Sequence, residues 1–216
     1  MAEKNFKYDF SNRDGMLEKL RAYATSSDDD SCYFKEKIKQ ELLHCPELLY
    51  ALHDTNLESE LFDEDGNLNI DENGDPLGEW DRYFGDTGSI RPYIFVPETQ
   101  DHVRSYVCYQ VKFSEVPKFN TIEKYGIIKF TIYVRGSDGI DADTGIPRHD
   151  LIASIIREKF NWSNVFGIQC HLIDRSEGIT DTNYISHTLT FQTTNLNSIV
   201  KTVGGKTQVI NRGVRT

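Results

Sequence analysis

GIIKFTIYVR (126–135) decides the fold. Ile128, Phe130, Ile132 and Val134 alternate with Ile127, Lys129, Thr131 and Tyr133, and a period of two is the signature of an extended strand with two distinct faces. SYVCYQVKF (105–113) repeats the pattern, with Val107, Tyr109, Val111 and Phe113 on one face and Tyr106, Cys108, Gln110 and Lys112 on the other. Downstream, the turn-rich stretch GSDGIDADTGIP (136–147) leads into residues 149–160. There the period lengthens: Leu151, Ile152, Ile155, Ile156 and Phe160 share one face of a helix. Two more strands follow. Residues 168–174 carry Ile168, Cys170, Leu172 and Ile173, and residues 184–193 alternate Ile185, His187, Leu189 and Phe191 with Tyr184, Ser186, Thr188 and Thr190.

Upstream, Tyr93–Val96 reads as a short strand closed by Pro97. A helix is predicted from about Cys32 to Cys45, with Phe34, Ile38, Leu42 and Cys45 at helical spacing. Pro46 opens a second one over 46–53, since proline suits a first helical position. A short helix near Gly15–Ala24 sets Met16, Leu17 and Leu20 on one stripe, and the run Ser26–Asp30 reads as a helix approach. The order α-β-β-β-α-β-β predicts an α+β fold, a mainly antiparallel sheet with a helix packed across it. The domain plan has three parts: a polar arm at 1–30, a single α+β domain at 31–195 with an acidic insertion at 54–90, and a basic C-terminal arm at 196–216.

Composition agrees with a core that serves only part of the chain. The 216 residues are 38% hydrophobic, and the mean hydropathy is −0.52. Twelve Phe, eleven Tyr and two Trp supply much of the buriable area. No apolar run approaches a bilayer span, the richest being interrupted by Lys129, and the first residues have no apolar signal core, so no membrane partner is expected. The four cysteines, Cys32, Cys45, Cys108 and Cys170, match no zinc framework and are expected as unpaired thiols of a reducing compartment.

Charge is distributed unevenly. Of the net −10, the segment Asp54–Asp86 holds twelve acids against the single base Arg82, leaving the rest of the chain near neutral. Residues 197–216 carry Lys201, Lys206, Arg212 and Arg215 and no acid. An acidic insert would repel phosphate, so duplex binding by the whole surface is not expected. Within the insert, Asp-Gly and Asn-Gly around Leu68 and Ile70 signal tight turns in an exposed hairpin or loop.

A calcium loop starting at Asp71 has Asp71, Asn73 and Asp75 in place, but Pro76 stands where glycine is required and Arg82 at the twelfth position; starting at Asp63, Leu68 replaces the glycine. Asp138, Asp141 and Asp143, followed by His149 and Asp150, resemble the carboxylates of a metal-dependent nuclease. Turns and helix starts demand the same residues for their own hydrogen bonds. The six histidines form neither HxH nor HExxH, and His187 reads as a core or interface histidine. No nucleophile elbow or phosphate-binding glycine loop occurs. No catalytic residue, cofactor or metal is expected.

RPYIFVPETQ (91–100), the strand Tyr106–Phe113 with the following EVPKFN (115–120), and GIPRHDLIASIIREKFNWSNVFG (145–167) resemble proteins encoded among the neck and tail genes of long-tailed phages of Gram-positive hosts. The element order is similar to the tail terminator, or tail-completion, fold. The resemblance covers about residues 30–195 and extends to INRGVR near the C-terminus. It implies a structural virion protein of the head-tail neck, a homohexameric ring closing the head-proximal end of the tail tube. Its partners would be other copies of itself, the tail tube protein and the head-closure connector, with genome DNA passing the lumen without specific binding. The long acidic insertion and basic arm depart from the compact terminator plan. A head-closure (stopper) protein is the alternative within this class, and a metal-dependent nuclease or processing enzyme the alternative outside it. The expected interface residues are Asp138, Asp141, Asp143, Arg148, Lys201, Lys206, Arg212 and Arg215. The insertion and the arm are both expected to order only on assembly, the basic arm of one subunit lying against the acidic insertion of the next. A second expectation sets the acidic insertion at the lumen, where negative charge lets DNA slide.

Overall fold

The computed structural model describes residues 12–25, 31–94, 105–113, 123–166, 169–180, 183–196, 199–201 and 207–209. In chain order the elements are α1 (Arg13–Thr25), α2 (Ser31–Leu43), α3 (Pro46–Ala51), β1 (Ile90–Arg91), β2 (Ser105–Phe113), β3 (Glu123–Arg135), α4 (Arg148–Phe160), β4 (Cys170–Ile179), β5 (Tyr184–Leu196), β6 (Ile199–Lys201) and β7 (Thr207–Val209). The fold is α+β. Its sheet has the order β1-β2-β3-β5-β4, antiparallel throughout except where β1 runs parallel to β2. Among the described residues, no helix is long and apolar enough to cross a membrane.

The alternation read in the sequence is the alternation of the sheet. Val107 and Tyr109, then Ile128, Phe130, Ile132 and Val134, then Leu189 and Phe191 all point to one face and are buried. Across that face lie α2, which contributes Phe34, Ile38 and Leu42, and α4, which contributes Ile152, Ala153, Ile156 and Phe160. Phe130 sits at the centre, its ring 4.9 Å from Phe160, 5.7 Å from Phe191 and 6.2 Å from Tyr109. The Tyr109 hydroxyl donates to the Lys35 carbonyl at 3.1 Å, so even the polar tip of this residue ties β2 to α2. The opposite face has its own small core of Tyr106, Cys108, Tyr133 and Tyr184, with the Arg91 guanidinium over the Tyr106 ring at 4.9 Å.

Several predicted boundaries move. The short first strand is Ile90–Arg91, not Tyr93–Val96: backbone pairing to Val107 and Cys108 selects it, and Tyr93 and Ile94 lie beyond the ladder. Residues 95 and 96 lie outside the described residues. β4 runs on to Ile179, because the partner strand β5 gives it a ladder that its polar sequence does not announce. The register shifts between Leu172 and Asp174, which leaves Ile173 bulged out and half exposed. The first helix forms, with Leu17 of its stripe half-buried and Met16 and Leu20 exposed. Ser26–Asp30 lies outside the described residues. The C-terminal segment pairs as a hairpin, with Val200 opposite Gln208.

The acidic segment is anchored to the main core. Leu57, Leu61, Trp80 and Tyr83 are buried in the main core, and the Trp80 indole N–H donates to the Glu60 carbonyl at 2.5 Å. Between these anchors the chain makes the same turn twice, eight residues apart. Asp63 Oδ1 accepts from the backbone N–H of Asp65 and of Asn67, and Asp71 Oδ1 accepts likewise from Asn73 and Asp75. Gly66 and Gly74 stand at φ of 82° and 86°, a conformation that costs glycine least. Bridges Phe62–Leu68 and Ile70–Pro76 close the two turns.

Candidate functional site

Two polar groups flank the start of α4. The first is built on Arg148, the opening residue of that helix, which is buried together with Asp138 and Asp141. Its Nε lies 3.3 Å from Asp138 Oδ2 and donates to the Asp138 carbonyl at 3.2 Å. Nη2 lies 3.1 Å from Asp141 Oδ1, and Nη1 donates to the Ala51 carbonyl at 3.1 Å. His53, held at a φ of 54° just past α3, brings Nδ1 to 3.0 Å from Asp138 Oδ2. The Thr144 hydroxyl donates to Asp141 Oδ2 at 2.7 Å. That hydrogen bond, with the Thr144 backbone N–H and the Arg148 charge behind it, holds the Asp141 carboxyl below the usual carboxylate range.

Three residues of the expected interface are buried within the chain. Asp138, Asp141 and Arg148 spend their charges on one another and on the end of α3, and they face inward. A buried guanidinium with two carboxylates is a clamp between a loop and two helices. The same bonds occupy the oxygens that a nuclease-type reading of these acids would give to a metal. Asp143 alone of the loop acids is exposed, where it accepts from the Tyr50 hydroxyl at 3.2 Å. Of the basic arm, Lys201 lies in β6, and Lys206, Arg212 and Arg215 lie outside the described residues.

The second group was not assembled by sequence reading. His149 and Asp150, in the first turn of α4, meet His187 from the helix-facing side of β5. His187 is 2% exposed, and among the described residues neither of its ring nitrogens has a hydrogen-bond partner; His149 Nδ1 is likewise buried without one. His187 Nδ1 comes to 3.2 Å from Asp150 Oδ1 and 3.8 Å from Glu177 Oε1, near enough for ion-pair attraction but not aligned as a hydrogen bond. A buried polar group left unpaired typically costs about 1–3 kcal/mol. Burial pushes the His187 imidazole below its ordinary value, against the pull of Glu177 and Asp150, so the neutral ring is favoured. One donor atom from each of His149, Asp150 and His187 lies within 4.8 Å of the others. The available signal was the adjacent His149-Asp150 at a helix start; that His187 faces it depends on where α4 crosses the sheet.

Two of the four thiols are held away from reaction. Cys45 and Cys170 are buried, and desolvation pushes both thiols up to about 12, far from the thiolate form that reacts. One further surface stands out: β4 is an edge strand, and residues 173–179 are all exposed, including Ile179 at 76%.

A five-stranded, largely antiparallel sheet with helices across one face and a buried arginine clamp defines an α+β protein. The model of the YomW family matches residues 46–193, about two thirds of the chain, and the chain belongs to that family. The match spans the acidic segment, both polar groups and most of the sheet. The family name is that of an SPBc2-type Bacillus phage gene product and points to a phage-encoded protein. Among curated proteins, none matches the chain.

Proposed function

We propose that this protein is a structural subunit of the phage head-tail neck, acting as a tail terminator: a homo-oligomeric ring, hexameric in the family it resembles, that caps the head-proximal end of the tail tube and joins it to the head connector. It works in the virion as a structural part and not as an enzyme, with DNA passing its lumen unbound. The phage character of the family supports this reading, as does the α+β architecture.

The observation that carries it is the β4 edge. β4 pairs with β5 on one side and, among the described residues, with no strand on the other, so from Cys170 to Ile179 its outer side offers a row of backbone donors and acceptors of the kind that proteins normally cover or blunt. Here Ile173 and Ile179 are exposed beside Asp174, Arg175 and Glu177. Apolar contacts would then supply affinity to a neighbouring subunit while the charges set its register. Head closure is the alternative position for the same kind of ring.

Light scattering of the purified protein, with and without tail tube protein, tests the reading. Rings alone, or rings that form only with tube protein, are expected. The double variant Ile173→Lys, Ile179→Lys should keep its melting temperature and stay monomeric. A wild-type monomer that ignores tube protein removes the terminator assignment.

A further inference from the structure

We propose that His149, Asp150 and His187 form a binding site for a first-row divalent cation of the Zn²⁺ type, fastening the start of α4 to β5. The site stands apart from the ring role and does not depend on it.

The argument begins from His187. Its imidazole is buried on a mostly apolar sheet face, yet neither nitrogen is satisfied within the described residues. A histidine kept only for packing is expected to donate at least one ring N–H to a carbonyl or carboxylate. His187 instead points Nδ1 toward Asp150, whose other oxygen lies 3.8 Å from His149 Nε2. Two imidazoles and a carboxylate are the donor set that suits zinc, and three protein ligands leave one position for water or a fourth residue. Glu177, directly across from His187 in the β4–β5 ladder and with Oε1 3.8 Å from Nδ1, is placed to fill it directly or through water.

The spacing is open by a modest amount. Zinc bonds of about 2.0–2.2 Å set tetrahedral ligand atoms about 3.3–3.5 Å apart. The donor atoms here lie within 4.8 Å, a difference that side-chain rotation of His149 and Asp150 can close at the helix surface. His187 and Asp150 also border a cavity of about 30 Å³, room enough for one water. Arg157 and Arg175 line the same cavity, and Arg175 reaches Glu177 at 3.7 Å. Their two positive charges are matched by Asp150 and Glu177, so the site is not closed to a cation electrostatically.

Zinc titration of the full-length, metal-stripped protein by calorimetry, and cobalt substitution followed by visible absorption, test the proposal. One Zn²⁺ per chain is expected, with a cobalt spectrum of four-coordinate nitrogen and oxygen ligation. His149→Gln with Asp150→Asn, two polar replacements of similar size with an unchanged melting temperature of the metal-free protein as the control for folding, should weaken binding beyond the about 10- to 100-fold typical of losing a mere supporting partner. Cys32→Ser should leave it unchanged. A thiolate charge-transfer band, binding lost with Cys32, or equal affinity in the double variant overturns the site, and so does a wild-type protein that takes up no zinc at micromolar concentration.

Discussion

The protein carries acids in two neighbouring regions that behave oppositely. In the loop 136–147, Asp138 and Asp141 are buried and held by Arg148, whereas in Asp54–Asp86 most carboxylates are exposed, and Asp63 and Asp71 hold the backbone turns that follow them. Residue type is the same in both. What differs is a cation within reach: Arg148 is delivered by the first turn of α4, while the long acidic segment contains one base, Arg82, which pairs with Glu60 at 2.9 Å in partial exposure. Acids next to a helix start become structure when a guanidinium is folded in beside them. Without one they remain a charged surface, and their segment is secured by apolar anchors.

The comparison breaks most visibly at Arg148. Arg148→Ala leaves two buried carboxylates uncompensated and should cost about 3–5 kcal/mol in denaturant unfolding. Replacing all three groups together, as Arg148→Met with Asp138→Asn and Asp141→Asn, should restore much of that loss, because no buried charge is then unpaired. A variant as weak as Arg148→Ala alone would show that the arginine contributes packing and not charge. In the other region the anchors take the place of the clamp. Trp80→Ala should cost about 3–5 kcal/mol and Leu61→Ala about 2–5 kcal/mol, and both should raise proteolysis within 54–86.

Acidification separates the groups more finely. The His187 pKa is lowered in the fold, so the unfolded chain takes up the proton first: stability should be intact above the ordinary value of 6.5 and fall as pH drops from there toward the folded value. His187→Gln should flatten that portion of the curve, read by melting temperature in metal-free buffer. Asp141 is also lowered, but from 3.8, so its contribution persists above that pH and is lost as pH falls through its folded value. The smallest effect belongs to the paired turns. Asp63→Ala or Asp71→Ala should leave the global midpoint unchanged and speed amide exchange only at the N–H groups each carboxylate binds, such as Asn67 or Asp75.

Much of the fold was legible before any coordinates. The faces of 105–113, 126–135 and 184–193 and the buried side of 149–160 emerged as read, because burial on one face writes itself into alternation or into helical spacing. The extension of β4 to Ile179 was not legible, since DRSEGI has no pattern of its own and is strand only by pairing with β5. Likewise the twin turns at Gly66 and Gly74 were foreseeable from Asp-Gly and Asn-Gly, but their fastening through Trp80 and Leu61 was not. For the site, sequence reading grouped Asp138, Asp141, Asp143 and Arg148 as interface residues without the Arg148 clamp that buries three of them, and it left His187 by itself.

Local chemistry explains that division. Periodicity, turn residues and proline placement are properties of a few neighbouring residues, so the sequence alone determined the element order, the α+β class and the position of the charge. Which charges meet depends on how α4 crosses the sheet and where α3 ends. Only the tertiary structure decided that Arg148 turns inward to Asp138, Asp141 and the Ala51 carbonyl, and that His187 faces His149 and Asp150, because these contacts reach as far as 97 positions along the chain and close only when the core is packed.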